Sequence, residues 1–293
     1  MASRPAAYPT GNPEPRLRVL IVLSLLAVYL IWGSTYLGIR IALESWPPFL
    51  MSALRFLAAG VVMYAFLRWR GVAAPTPRQW RNTVVTGTLL LAAGNGLVCY
   101  AEQTVSSSLA AVAIAGMPLF AALFAGLYGR WPRPRDWLGI AVGFSGVILL
   151  NLGGEMRASP AGAIALVAAP LCWAFGSVWS RHQDMPDPLM STAAQMLTGG
   201  AVLVLVTLVL GESWPAAPTL RATAALAYLT VFGSLVAFTA YIYLLQHVRP
   251  ALATSYANVN PPLAAALCVW LLGERSSSSQ LAAMGGILAG VAI

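Results

Sequence analysis

The stretch LIWGSTYLGIR, Leu30–Arg40, lies in an apolar run with the composition of a membrane helix. Small and polar residues interrupt this run between two aromatic residues, Trp32 and Tyr36. A related stretch, LCWAFGSVWSR, occupies residues 171–181. In it Trp173 corresponds to Trp32, and Arg181 corresponds to Arg40 at the same spacing from the tryptophan. The two stretches predict an internal repeat, and we interpret their Gly-Ser positions as breaks in two helices that face each other.

Two further pairs of segments support the repeat. RFLAAG (55–60) corresponds to QMLTGG (195–200), and PLFAALFAGLYGR (118–130) corresponds to PLAAALCVWLLGE (262–274). Each pair is weak alone. The three pairs follow one another in the same order in both halves, and their offsets along the chain agree within the range that small loop changes allow.

The composition indicates a polytopic membrane protein. Hydrophobic residues make up 59% of the chain and charged residues only 9%, whereas soluble domains carry about 25% charged residues. The basic residues are all arginine, so the Gly-Lys-Ser/Thr of a Walker A phosphate loop is absent. Cys99, Cys172 and Cys268 lie inside apolar runs, which favours packing roles over disulfides.

Runs of about 20 apolar residues predict ten membrane spans. They are 17–39, 48–69, 79–100, 106–128, 135–152, 160–181, 188–210, 219–245, 250–272 and 278–293. We expect residues 1–15 to be a disordered tail, residues 16–152 to form the first five-helix repeat and residues 153–293 the second. Because five is odd, the second copy must insert upside down relative to the first, as in secondary transporters.

The arginines predict the orientation of these spans. With the N-terminus inside, twelve of the 17 arginines fall in cytoplasmic segments, four in outer segments and one, Arg55, within a span. This bias is the positive-inside signal. We therefore predict that both termini are cytoplasmic in a multi-pass protein of the bacterial inner membrane.

Several short motifs resemble those of the drug/metabolite transporter superfamily, in particular its EamA-type ten-helix members. The motifs are Trp32-Gly33-Ser34-Thr35, Leu54-Arg55-Phe56, Met117-Pro118, Trp173 with Gly176-Ser177, Pro261-Pro262 and Leu272-Gly273-Glu274. The resemblance covers nearly all of the chain after residue 16, and within the family it is greatest to bacterial exporters of amino acids. It implies an all-α membrane protein of ten transmembrane helices, arranged as two five-helix inverted-topology repeats around a central cavity.

Polar and aromatic residues inside spans are the candidates for a substrate site, because such groups are costly in lipid unless they face a cavity. An aromatic pocket with amides and hydroxyls would suit an amino acid. The alternatives for these residues are interface anchoring and interhelical hydrogen bonds. The predicted substrate-binding residues are Trp32, Tyr36, Asn95, Tyr100, Gln103, Trp173, Ser177, Thr239, Tyr243, Tyr256 and Asn260, and the predicted helix breaks are Gly33, Gly176, Pro118 and Pro261.

Two charged residues, Arg55 and Glu102, are candidates for charge or gating roles. Arg55 either attracts a substrate carboxylate or pairs with Glu44, Glu102 or helix-end carbonyls, and the structural pairing is the favoured interpretation. Glu102 lies near an outer helix end, and His182 and His247 lie at cytoplasmic loop edges. We therefore expect facilitated diffusion or exchange with little or no proton coupling.

These features predict a transporter that exports aromatic and other neutral amino acids, with no enzymatic activity, no cofactor and no metal. The partners we expect are the small-molecule substrate and the lipid bilayer, without nucleic acid, and we expect a monomer. The runner-up is a multidrug or small-metabolite exporter of the same fold, with proton coupling as an option. GFSG (143–146) also matches the serine motif of intramembrane proteases, but that chemistry needs an embedded histidine.

Overall fold

The computed structural model of the chain describes residues 15–104, 110, 114, 116–129, 131–135, 137–138, 141–142, 145, 159–260 and 262–263. All the regular secondary structure in these residues is helical. The longer helices are α1 (Pro15–Ala42), α2 (Pro48–Trp69), α3 (Pro77–Ala101), α4 (Met117–Leu127), α5 (Pro160–Ser180), α6 (Pro188–Leu210) and α7 (Leu220–His247), followed by the short α8 (Pro250–Ala253).

Six of these helices, α1 to α3 and α5 to α7, are long and apolar enough to cross a membrane. Their bounds follow the predicted spans closely, and for α2 and α6 they coincide with the predicted 48–69 and 188–210. The prediction of an all-α membrane protein is thereby confirmed. The predicted spans 135–152 and 278–293 lie largely or wholly outside the described residues, so ten remains a predicted number.

The helix ends lie at two opposite sides of the bundle. On one side, named here the Trp46 side, the loop after α1 meets the loop before α7: Trp46 packs on Trp214 with ring centroids 5.2 Å apart. On the other, named the Asp184 side, the Gln79 amide nitrogen at the start of α3 donates to the Asp184 carboxylate over 3.1 Å. Each of the six long helices runs between these two sides.

Helices α2 and α6 correspond in the repeat and run antiparallel. At the Trp46 side, the Glu212 carboxylate just after α6 accepts hydrogen bonds from the amides of Phe49 and Leu50 at the start of α2, over 3.2 and 2.7 Å. This carboxylate satisfies amides that have no partner within the helix and complements the helix dipole. Near the Asp184 side, Leu67 at the end of α2 belongs to the same hydrophobic cluster as Met190 at the start of α6. The two corresponding helices are therefore inverted relative to each other.

The contact between α2 and α6 shows the same symmetry in detail. A Cβ on Gly60 would lie 3.0 Å from the backbone nitrogen of Leu197, and one on Gly200 would lie 2.8 Å from the side chain of Leu57. In the alignment of RFLAAG with QMLTGG, Gly60 corresponds to Gly200 and Leu57 to Leu197. Each glycine thus packs against the leucine of the other helix, and the two contacts correspond to each other in the repeat. A pseudo-two-fold axis between the helices would produce this arrangement.

Three helices contain a π-helical segment with a wider turn. The segments are Val28–Trp32 in α1, Thr88–Asn95 in α3 and Leu229–Phe238 in α7. The segments of α3 and α7 start at Thr88 and Leu229, which are separated along the chain by the same number of residues as Trp32 and Trp173. These two segments therefore occupy corresponding positions of the repeat. In α5 the residue that corresponds to Tyr29 is Pro170, which lies inside the helix and removes a backbone hydrogen bond.

The predicted helix breaks at Gly33 and Gly176 are wrong in their position. The helix continues through Gly33, whose φ and ψ are −60° and −32°, and α5 continues through Gly176. These glycines instead allow side chains of other segments to pack closely against the helix. A Cβ on Gly33 would lie 2.5 Å from the Leu263 side chain, and a Cβ on Gly176 would lie 2.4 Å from the Leu90 side chain. Pro118 lies in the first turn of α4, where proline is tolerated, rather than at a break. Pro261 lies outside the described residues.

Candidate functional site

A narrow cavity lies between the two halves of the chain, on the Trp46 side of the bundle's middle. Its volume is about 60 Å³, which leaves room for a few water molecules. Residues of both halves line it, so the site belongs to the interface of the repeats. The lining residues are Trp32, Thr35, Tyr36, Ile39, Arg55, Gly94, Asn95, Val98, Ile114, Met117, Trp173, Tyr256 and Asn260.

Three of the lining residues, Trp32, Trp173 and Tyr256, form an aromatic cluster with Tyr241. The Trp32 ring lies at its centre, 5.4 Å from Trp173, 5.1 Å from Tyr241 and 4.7 Å from Tyr256 between ring centroids. Edge-to-face and tilted contacts of this kind add about 0.5–1.5 kcal/mol each to the burial of the rings. Trp32 and Trp173, which correspond in the repeat, therefore meet directly.

Hydrogen bonds fix the orientation of these rings. The Trp173 indole donates to the Tyr241 hydroxyl over 2.9 Å, and that hydroxyl lies 2.7 Å from the Ser177 hydroxyl. Ser177 in turn donates to the Trp173 carbonyl over 2.7 Å. Because that bond uses the Ser177 proton, Tyr241 donates to Ser177. The three groups form a closed ring of hydrogen bonds with every proton used.

Trp32 and Tyr256 are fixed by partners on other helices. The Trp32 indole donates to the carbonyl of Gly233, in the π-helical segment of α7, over 3.0 Å. The Tyr256 hydroxyl donates to the sulfur of Met117 over 3.1 Å, which joins the segment after α8 to the start of α4. The two rings are therefore held at defined positions against the cavity.

Arg55 is buried and contributes a cation to the cavity. Its Nε donates to the Ser234 hydroxyl over 2.7 Å, and its guanidinium carbon lies 4.8 Å from the centre of the Phe56 ring. The expected pairing with Glu44 or Glu102 is wrong for the part of the chain that the structure describes. Glu44 lies 3.7 Å from Arg221 instead, and Nη1 of Arg55 has no hydrogen-bond partner.

Asparagine side chains provide the neutral polar groups of the cavity. The Asn95 carbonyl oxygen accepts from the Cys99 thiol over 3.6 Å. The Asn260 carbonyl oxygen is buried without a hydrogen-bond partner among the described residues, and the Asn260 side chain lies beside the Tyr36 hydroxyl. One amide oxygen is thus available to a donor that enters the cavity.

Glu102 follows directly on the last residue of α3, near the Trp46 side. Both of its carboxylate oxygens are buried, and neither has a hydrogen-bond partner within the described part of the chain. Arg40 and Tyr36 are close enough to act on it electrostatically. Glu102 does not line the cavity described above, whereas Tyr36, which is near Glu102, does.

Four predicted substrate-binding residues lie away from the cavity, and a fifth supports it indirectly. Tyr100 stacks on Phe49 with centroids 5.8 Å apart, and Tyr243 stacks on His247 at 4.0 Å. The exposed Gln103 donates to the Tyr100 carbonyl, and Thr239 bonds to the Leu235 carbonyl one turn before it. Ser177 is buried behind Trp173 and Tyr241.

Sequence reasoning missed Tyr241, which is fully buried in the cluster. The prediction used the face of α7 that carries Thr239 and Tyr243, whereas the face with Phe238 and Tyr241 points inward. The repeat offered one sequence signal for Tyr241. Tyr241 corresponds to Tyr100, because these two residues are separated by the same number of positions as Trp32 and Trp173. Thr35, Gly94 and Met117 were also missed as lining residues, since small and apolar residues in a span give no distinct signal.

Together, the fold and the site define a multi-pass membrane protein with a cavity between its two halves. The sequence pattern of the EamA-like transporter family matches residues 19–152 and again residues 160–293. The chain therefore belongs to the EamA-like transporter family and consists of two copies of its repeat.

Known relatives agree with this class. The chain is 46% identical over 281 residues to the uncharacterized inner membrane transporter YedA of Escherichia coli, covering 95% of this chain and 92% of YedA. It is 24% identical to the uncharacterized transporter YoaV of Bacillus subtilis, covering 86% and 88%. One solved crystal structure shares the fold with a TM-score of 0.75 and 22% identity, covering 94% of this chain and 96% of the other. The chain is thus a multi-pass protein of the inner membrane.

Proposed function

We propose that this chain exports aromatic and other neutral amino acids, and related metabolites, across the inner membrane by alternating access. The observation that carries the proposal is the cavity at the repeat interface, where a buried cation and free amide oxygen face a wall of aromatic rings. The polar groups match the two charged ends of an amino acid, and the rings match an apolar side chain. The cavity, about 60 Å³ in this structure, must widen during the transport cycle to admit such a solute. The substrate is the only partner besides lipid, and the protein works as a monomer by facilitated diffusion or exchange.

Flux into proteoliposomes tests the proposal. Purified protein should transport phenylalanine and other neutral amino acids saturably, since a carrier with one site per cycle saturates and a channel does not. Cationic drugs tested in the same panel should not compete. Saturable flux of drugs without flux of any amino acid would contradict the proposal.

Trp32→Ala should reduce phenylalanine flux at least ~10-fold, because the variant loses the central ring of the aromatic cluster and the wall it offers to the substrate. Trp69→Ala is the matched control, since Trp69 is 80% exposed at the end of α2 and is not among the residues that line the cavity. Equal flux in the two variants would exclude the cluster from substrate binding.

A second candidate function is a proton-coupled exporter of drugs or small metabolites. The observation that favours it is Glu102, a buried carboxylate without hydrogen-bond partners among the described residues, since intramembrane carboxylates often relay protons. A pH gradient across the proteoliposome membrane separates the two functions. Gradient-driven accumulation that Glu102→Gln abolishes would favour the second; equal uptake with and without the gradient would favour the first.

A further inference from the structure

We propose that Arg55 binds the carboxylate of the transported solute, so that the site selects solutes with an anionic group next to an apolar or aromatic one. The inference deepens the proposed transport function and rests on it for the site. It also narrows the function, since it excludes solutes that carry only a positive charge.

The first observation is a buried guanidinium with free hydrogen-bonding capacity. Arg55 is 2% exposed and lines the cavity. Its Nη1 is buried without a hydrogen-bond partner among the described residues. An unpaired buried cation is costly, and the cost falls when an anion enters and accepts its hydrogen bonds. A carboxylate matches the planar guanidinium in shape as well as charge.

The second observation is that α7 holds the guanidinium in place. Ser234 accepts from Nε of Arg55 while its own hydroxyl donates to the Leu229 carbonyl over 3.2 Å. At the neighbouring Gly233 a Cβ would lie 2.9 Å from Nη2 of Arg55, so the guanidinium packs directly against the backbone of α7 there. Ser234 and Gly233 thus define where the guanidinium lies against α7.

The third observation concerns what lies next to the cation. The Gly233 carbonyl accepts the indole of Trp32, so consecutive residues of α7 hold Arg55 and the central ring of the aromatic cluster. The free amide oxygen of Asn260 lines the same cavity. A carboxylate bound to Arg55 would therefore share the cavity with Trp32, which offers a surface to an apolar substituent, and with Asn260, which offers an acceptor to an ammonium group.

Matched pairs of ligands test the proposal on the unsubstituted protein. The pairs are phenylalanine with phenylalaninamide, and 3-phenylpropionate with 3-phenylpropionamide, which differ only in the carboxylate. The acid of each pair should raise the thermal unfolding temperature in detergent, and the amide should not. Equal stabilisation by acid and amide would overturn the proposal without any need for a variant.

Variants of the arginine test it independently. Arg55→Gln should weaken binding of the acids by roughly 10- to 100-fold, the range for the loss of a hydrogen bond to a charged group, and Arg55→Lys should retain part of the affinity. Arg221→Gln is the control, because Arg221 is an exposed arginine near Glu44. Acid affinities equal in Arg55→Gln and Arg221→Gln would contradict the assignment.

Failure of this inference can be told apart from failure of the proposed function. Binding of 3-phenylpropionate without flux of amino acids would refute amino-acid export and support the carboxylate site. Saturable flux of phenylalanine with equal competition by phenylalaninamide would support export and refute the carboxylate site. Flux of cationic drugs alone would refute both.

Discussion

The hydroxyl of Tyr241 completes the hydrogen bonding of two other buried groups. It accepts from the Trp173 indole and donates to Ser177, and all three side chains are shielded from water. A buried donor that loses its partner costs about 1–3 kcal/mol, more than a hydrogen bond contributes on balance. One phenolic oxygen therefore decides whether the aromatic cluster is free of unsatisfied polar groups.

Tyr241→Phe should lower the thermal unfolding temperature in detergent, because it leaves the Trp173 indole without an acceptor. The expected loss is about 1–3 kcal/mol of stability. Tyr64→Phe, on α2 away from the cluster, serves as the control. An unfolding temperature equal to that of the control would show that water replaces the lost hydroxyl.

At the scale of single residues, the sequence allowed part of the site to be predicted. Trp32, Tyr36, Asn95, Trp173, Tyr256, Asn260 and Arg55 line the cavity, and each is a polar or aromatic residue in an apolar span. Tyr241 was missed because neighbouring Tyr243 has the same chemistry, and the helix register that decides between them depends on the π-helical segment before it. A period of 3.6 residues does not carry across a wider turn.

Close contacts between helices explain the glycines of α3 and α6. A Cβ on Gly199 would lie 2.7 Å from the Gly87 carbonyl oxygen, and one on Gly87 would lie 2.5 Å from the Thr198 hydroxyl. The two backbones thus touch without intervening side chains, as in other membrane helix pairs built on small residues.

Gly199→Val should destabilise the protein, because the obstacle is backbone and cannot rotate away. Overpacking of this kind costs about 1–3 kcal/mol. Ala201→Val lies on the exposed face of the same helix and is the matched control. Thermal unfolding in detergent measures both, and equal unfolding temperatures would contradict the close contact of α3 and α6.

At the scale of elements, helix bounds were predictable and internal irregularities were not. Proline and polar loop residues begin and end α2 and α6 at the predicted positions. The π-helical segments of α3 and α7 carry no sequence signal of their own, since Leu, Ala and Gly are equally common in regular membrane helices. They are visible only in the structure, where they occupy corresponding positions of the two repeats.

At the scale of the whole molecule, the arginine bias and the two sides of the bundle make one joint prediction. The Trp46 side should face the periplasm and the Asp184 side the cytoplasm, as the positive-inside rule requires. In a variant without Cys99, Cys172 and Cys268, a cysteine replacing the exposed Ala217 should react with a membrane-impermeant maleimide in intact cells. A cysteine replacing the exposed Ala74 should react only after permeabilisation.

The two alanine positions serve as controls for each other. The reverse labelling pattern would show that the orientation is opposite to the predicted one. Labelling of both positions in intact cells would contradict their placement at opposite ends of the bundle.

The contact of Leu57 and Gly60 with Leu197 and Gly200 lies near the middle of both α2 and α6. Each helix is about 33 Å long at about 1.5 Å per residue, so the contact divides it into two arms of nearly equal length. If one helix tilts slightly against the other about this contact, the helix ends at one face of the membrane move apart. The helix ends at the opposite face then approach each other by about the same distance. The pair of helices that joins the two repeats therefore has a central pivot, and the two segments of each helix on either side of it are of nearly equal length.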